Sequence, residues 1–250
     1  MKRSLIIGGT RGLGRELAAE SLRRGITPIV TGRSIERARA DPSLRGAEFC
    51  RFDLNFPHTL AENWCRTWND ISHVFWVAGI FMRRKVAETP AEDVRLMVDT
   101  HLLGPVVALG DLVHLMKLNR PLADEPGQPF HLVTIGSTSS WKVRDNEALY
   151  CALKAAKAHF TRNFARELVC DLPGSKVTLV NPGGIRTPDF WDGSGQDISS
   201  YINPADLAEV IWDEVLAQEA EFSEFQVLRH PTLPGEFFVQ RGAHAPEQPF

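Results

Sequence analysis

A phenol and an amine four residues apart, Tyr150 and Lys154, follow a hydroxyl at Ser137. Residues i and i+4 share one face of a helix. Ser137 lies off that helix, just past the apolar run 132–135, where a strand should end. The three groups make a candidate proton-transfer site. Reducing a carbonyl creates an alkoxide, and a tyrosine hydroxyl can protonate it. The ordinary phenol pKa of ~10 is high for that task near neutral pH. A nearby ammonium favours the phenolate and lowers that pKa, which is the role expected of Lys154. Ser137 would hold the substrate oxygen and stabilise developing charge. Taken singly, each residue has an ordinary structural reading: a half-buried helix tyrosine, a surface lysine, and a turn serine beside Ser139 and Ser140.

Positioning these groups requires strands and helices in alternation, and the chain shows them. Apolar β-like runs fall at 4–7, 27–31, 47–52, 73–77, 130–135, 176–180 and 225–228. Helical patterns fall at 12–24, in a short charged stretch from Ser34, and at 59–68, 90–118, 147–170 and 204–218. Gly104-Pro105 is expected to kink or divide the 90–118 helix, and Asn203 is a candidate N-cap ahead of Pro204. This order predicts an α/β fold, a doubly wound Rossmann-type parallel sheet in a single domain. Such sheets bind ligands beyond the carboxyl ends of their strands, and every candidate residue lies just after a strand. The catalytic domain is expected over 1–230, with a substrate loop at about 188–202 and an irregular tail over 231–250. The loop carries Gly193 and Gly195 with Phe190, Trp191 and Tyr201, a mobile and aromatic composition.

The first strand runs into Gly8-Gly9-Thr10-Arg11-Gly12-Leu13-Gly14. Glycines permit a tight turn and close backbone approach, and the following helix aims free N–H groups and its positive dipole end at the same place, where a pyrophosphate fits. At the end of the second strand, where a dinucleotide fold often has an acid on the adenosine ribose, the sequence reads Gly32-Arg33-Ser34. An Asp there would repel a ribose phosphate. Arg33 can fork two hydrogen bonds onto one, helped by Arg11 and by the hydroxyls of Thr10 and Ser34. The expectation is NADP rather than NAD.

The chain has 250 residues, 43% of them hydrophobic, with a net charge of -3. That is enough for one sizeable core, and no basic patch points to nucleic acid. No continuous apolar run reaches the ~18 residues of a membrane span, and the N-terminal apolar run is too short for a secretory signal. The four cysteines form no C-x-x-C pair and the eight histidines show no metal spacing. The expectation is a cytoplasmic protein with reduced thiols and no metal.

These motifs resemble the short-chain dehydrogenase/reductases, in their compact single-domain branch. Gly8-x-x-x-Gly12-x-Gly14 is similar to that branch's glycine spacing. Tyr150-x-x-x-Lys154 and Ser137 resemble its active-site set. Asp53-Leu54 resembles the pair lying against adenine, and the run Asn181, Pro182, Gly183, Gly184, Ile185, Arg186, Thr187 the segment holding the nicotinamide end. The resemblance spans roughly residues 4–230. It implies an NADP(H)-dependent oxidoreductase acting on a small carbonyl or alcohol, as a homo-dimer or homo-tetramer.

Two departures stand out. Trp76-Val77-Ala78-Gly79 keeps the small pair Ala78-Gly79 but lacks the family's side-chain amides. His101 takes the place of a family asparagine that links the lysine to solvent through water. An imidazole titrates near neutral pH and could carry the same relay, or it could be a buried histidine satisfied by a backbone carbonyl. These departures keep one rival in view, an NADP(H)-binding sensor or scaffold with weak or no turnover; an α/β methyltransferase using a different nucleotide is a third possibility. The intact Ser-Tyr-Lys set argues against the sensor and Arg33 against the methyltransferase.

Overall fold

In the computed structural model, residues 2–55, 71–118 and 127–242 are described. Eight strands form one sheet in the order β3-β2-β1-β4-β5-β6-β7-β8. They are β1 (Arg3–Ile7), β2 (Thr27–Gly32), β3 (Glu48–Arg51), β4 (Ile71–Trp76), β5 (His131–Ile135), β6 (Lys176–Pro182), β7 (Phe222–Arg229) and β8 (Phe237–Arg241). All neighbours pair in parallel except β7 and β8, which are antiparallel. Strand order reverses between β1 and β4, and the loops leaving these two strands part there to open a crevice.

Both faces of the sheet are covered. Period-two alternation sends Leu5 and Ile7 of β1 to one face and Ile6 to the other. The first face packs against α4 (Gly104–Leu118) and α5 (Ala148–Asp171), through Leu109, Leu112 and Leu168. The second packs against α1 (Gly12–Arg23) and α7 (Pro204–Ala217), through Leu17, Ile211 and Trp212. Asn203 caps α7, accepting from the Ala205 N–H at 3.0 Å. The short helices α2 (Glu36–Arg39), α3 (Ala91–Val98) and α6 (Pro188–Trp191) complete the described helices.

The helical stretch predicted over 90–118 is divided. Between α3 and α4 lies one wide π turn, Asp99–Leu103. Pro105 has no N–H to donate to the carbonyl of His101 four residues earlier, so the regular ladder cannot run through this point. Gly104 is needed here, because a Cβ would stand 2.4 Å from the Leu54 carbonyl oxygen. The span Ala91–Leu118 is long and apolar enough to cross a bilayer by composition. Its Ala108, Leu109, Leu112 and Met116 are buried against the sheet, a use that accounts for the apolarity.

One expectation is corrected. The tail over 231–250 is not irregular throughout, since Phe237–Arg241 forms β8 on the edge of β7. Phe237 and Val239 turn inward onto the core. The pairing partner is set by a turn the local pattern does not announce. The helix expected over 59–68 lies outside the described residues.

Candidate active site

A cleft of about 900 Å³ opens at the carboxyl ends of the strands. At its base the glycine loop folds tightly. Gly8 has φ +91°, and a Cβ there would sit 2.7 Å from the Ala78 backbone. A Cβ on Gly14 would lie 2.1 Å from the Gly8 carbonyl oxygen. No side chain caps the N-terminus of α1, so its first-turn N–H groups stay available to an anionic ligand. These residues fit a dinucleotide: a cradle that side chains would fill, opening on free N–H groups. Val77 and Ala78 N–H both donate to the Ile7 carbonyl, at 3.0 and 2.8 Å. Backbone bonds thus hold the segment whose amide side chains are missing.

Of the residues expected on the cofactor side, this cleft is lined by Gly8, Thr10, Arg11, Gly12, Leu13 and Gly14 from the loop, Arg33 and Ser34 after β2, and Asp53 and Leu54 after β3, whereas Asn181 and Arg186 stand outside it. Ala78, Gly79, Lys154, Pro182, Gly183, Ile185 and Thr187 complete the set. Arg37 is a further cation at the Arg33 end that the sequence motif did not mark. Two carboxylates temper the positive charge. Ser34 Oγ donates to Glu36 at 3.2 Å, and Arg11 faces Asp189 at 3.8 Å.

Ser137, Tyr150 and Lys154 meet at the other end of the same cleft. Ser137 caps a short 3-10 turn, its Oγ accepting from the Ser139 N–H at 3.0 Å. A buried chain fixes its backbone. Ser137 N–H donates to Asn181 Oδ1 at 3.2 Å, and Asn181 Nδ2 donates to Glu224 Oε1 at 2.9 Å. Arg162 clasps Glu224 with two bonds of 2.9 and 2.7 Å. These partners come from α5, β6 and β7, so no short motif could have shown them.

Tyr150 is buried, with Phe81 edge-on at 5.0 Å and His101 edge-on at 5.7 Å. Burial pushes its phenol well above the ordinary value, against the smaller opposing pull of a hydrogen bond with Ser137. Lys154 does not bring the phenol below its ordinary value in this geometry, because burial outweighs it. The amine donates to the Gly136 and Ile135 carbonyls at 3.0 and 3.4 Å and lies 5.7 Å from the phenol ring centre. Burial instead lowers Lys154 to about 8.

Behind Lys154 lies a second buried amine that the sequence reading missed. Lys157 is 0% exposed, 4.1 Å over the Trp76 ring, and donates to the Trp76 carbonyl at 3.4 Å. Burial, with Lys154 adding repulsion, holds its pKa well below the usual lysine range. His101 is corrected as well, because it does not line the cleft. It sits in the π turn, fully buried, with Nε2 2.7 Å from the Ile80 carbonyl oxygen. Among the described residues its Nδ1 has no partner. Burial and the two lysines keep it neutral. The backbone of Ile80 meets one ring nitrogen, and the other is buried without a described partner.

The expected substrate loop is ordered around its aromatic residues. Trp191 Nε1 donates to the Ile185 carbonyl at 2.7 Å, and Tyr201 covers Gly184, where a Cβ would be 2.6 Å from the ring. Phe190, Trp191 and Tyr201 all face the cleft.

Mostly parallel sheets wound on both faces, with a ligand crevice where strand order reverses, are Rossmann-type nucleotide-binding folds, and that is the class of this protein. Within it, the chain belongs to the short chain dehydrogenase family, whose family model matches residues 2–195. It is thereby an oxidoreductase of alcohol and carbonyl groups. Among curated relatives, it is 27% identical over 227 residues to a 1-deoxy-11-beta-hydroxypentalenate dehydrogenase of Streptomyces exfoliatus, covering 84% of this chain and 78% of the other. It is 26% identical over 227 residues to an NADP-dependent 3-hydroxy acid dehydrogenase of Salmonella typhi, covering 83% and 86%. Among solved structures, an alcohol dehydrogenase of Thermococcus sibiricus complexed with 5-hydroxy-NADP superposes with a TM-score of 0.76 at 20% identity, covering 90% and 95%.

Proposed function

We propose that the protein is an NADP(H)-dependent reductase of a small carbonyl compound, with Tyr150 as proton donor. The observation that carries this reading is that Ser137, Tyr150 and Lys154 share one cleft with the glycine loop and Arg33. A nicotinamide cofactor, when bound, supplies or accepts the hydride. The phenol's raised pKa keeps it protonated at neutral pH, ready to give its proton to a carbonyl oxygen held by Ser137. Lys154, protonated below about 8, then lies beside the phenolate and stabilises it. Both features favour the reductive direction. Arg33 and Arg37 support NADP over NAD, and the Salmonella relative carries NADP dependence in its name. The reduced thiols of Cys151 and Cys170 accord with a cytoplasmic location. A homo-dimer or homo-tetramer remains the expectation from the family.

The test is NADPH consumption with a panel of aldehydes and ketones, beside fluorescence titrations of NADPH and NADH. Wild type should oxidise NADPH, and Tyr150→Phe should bind it normally yet lose about 10²–10⁴-fold in rate. Arg33→Ala should narrow the preference for NADPH about tenfold or more. Full activity in Tyr150→Phe, or tighter NADH binding in wild type, would overturn the corresponding part.

A further inference from the structure

Past Tyr150 the cleft continues into a second cavity of about 470 Å³. The two share Thr138, Arg144, Gly183, Gly184 and Arg229. Thr138, which lines both, follows Ser137 directly in the chain, so this space adjoins the Ser137 side of the cleft.

The second cavity is cationic. Lys142 and Arg144 enter from the segment ahead of α5, and Arg229 from the end of β7. His230 adds an imidazole, while Thr138, Ser200 and Thr232 add hydroxyls. No Asp or Glu lines it. Among the described residues, no carboxylate lies within ion-pair distance of Lys142, Arg144 or Arg229, whereas other surface arginines such as Arg84 and Arg241 are paired. Glu147 is an acid that Arg144 influences. It lines the main cleft beside Arg144, is 9% exposed, and is itself pushed toward its neutral form by burial.

Arg229 is already oriented. Its guanidinium lies 4.5 Å over the Tyr201 ring, and Nη1 donates to Ser200 Oγ at 3.5 Å. Stacking fixes the plane of the fork and leaves further N–H groups for a planar or tetrahedral oxyanion. Lys142 is crowded by Arg144 and Arg229, and this repulsion adds to burial in lowering its pKa. An anion between them would relieve it. The dinucleotide phosphates do not meet this need, because their cradle is the glycine loop and Arg33 at the opposite end of the main cleft.

We propose that the substrate carries an anionic group, a carboxylate or a phosphate, that Arg144, Arg229 and Lys142 hold while its carbonyl faces Tyr150 and Ser137. This inference rests on the reductase reading and names the substrate class for it. The anion takes no part in bond change. The carbonyl carbon gains the hydride, its oxygen gains the Tyr150 proton, and the nicotinamide is left oxidised.

Three aldehydes of matched shape test it: 4-formylbenzoate, its neutral methyl ester, and 4-formylphenyl phosphate. Wild type should prefer at least one anionic aldehyde to the ester by about tenfold or more in kcat/KM, since a charged hydrogen-bonded contact is of that size. Which anion is preferred separates carboxylate from phosphate. In Arg144→Gln/Arg229→Gln the anion-to-ester ratio should fall to within twofold, with NADPH fluorescence titration confirming a folded, cofactor-binding protein. An equal rate for ester and both anions in wild type, or a ratio that survives the double substitution, overturns the proposal and leaves the reductase reading standing. Should none of the three be turned over, calorimetric titration of 4-formylbenzoate and of 4-formylphenyl phosphate decides. Binding lost in the double variant supports the cationic pocket, and no binding in wild type overturns it. The reductase reading fails separately, if neutral aldehydes and ketones across the panel leave NADPH unconsumed.

Discussion

Behind Tyr150 stand Lys154, Lys157 and His101, all buried. In front of it stand Lys142, Arg144 and Arg229, all reached by water. Both groups are basic, and neither is paired with a carboxylate among the described residues. Their physics is opposite. In the rear group, desolvation is the largest influence on each side chain, and all three are pulled down. Each therefore gives up its proton more readily than the free side chain does. The front group faces solvent, where its two guanidiniums offer hydrogen-bonding forks to an anion. Depth separates the two groups, and Lys142, partly buried and crowded by two guanidiniums, stands between them.

Lys154→Met should have the largest effect, because it removes the one rear amine that lines the cleft with the phenol. The rate of reduction should fall about 10²–10³-fold. In wild type the ammonium is present below about pH 8 and is lost as pH rises through that value, so the rate should decline there. The variant's pH–rate profile between 6 and 10 should lack that decline. An unaltered profile would detach Lys154 from the chemistry.

Lys157→Met comes next and sharpens the contrast, since this amine is as deep but touches no part of the cleft. Methionine keeps the packing on Trp76 and removes a buried group that must give up or hide its charge. Stability should rise by about 1–3 kcal/mol, some 2–10 °C in Tm for a chain of this size. Because the folded pKa lies below the unfolded one, the penalty is largest below the folded pKa and fades as pH rises toward the ordinary lysine value. The gain from the substitution should shrink over the same range. Thermal scans at pH 7 and pH 10 check both the sign and the trend.

The smallest effect separates the groups by screening. Raising KCl from about 0.05 to 0.5 M shortens the Debye length from roughly 14 Å to 4 Å. The anion-to-ester ratio at the front should drop about two- to fivefold. The position of the alkaline decline governed by Lys154 should move by no more than a few tenths of a pH unit, because buried groups are screened less. Equal sensitivity of both readouts would erase the distinction.

The catalytic end was legible where chemistry is local. Tyr150 and Lys154 announce a shared helix face by spacing, and the glycine loop announces a turn that other residues cannot make. What escaped depends on partners far along the chain. Lys157 reads as the polar side of α5 until Trp76 is seen beneath it. Glu224 and Arg162 are ordinary charges until Asn181 joins them to Ser137. His101 pointed to a relay by its place in a motif, but the π turn carries its ring to the Ile80 carbonyl. The acidity of Tyr150 was misjudged because spacing shows a neighbouring amine and does not show how completely both groups are desolvated. In the fold, the parallel strands follow from alternation, whereas β8 depends on the edge it joins.

Strand β7 bears two loads at once. Glu224, near its start, buttresses the serine turn, and Arg229, at its end, reaches the cationic cavity. The antiparallel β8 clamps both positions, pairing Phe225 with Arg241 and Arg229 with Phe237. This clamp lies beyond residue 195, where the match to the family model ends. Trimming the chain ahead of Phe237 should therefore blur which molecules are accepted before it silences the reaction itself.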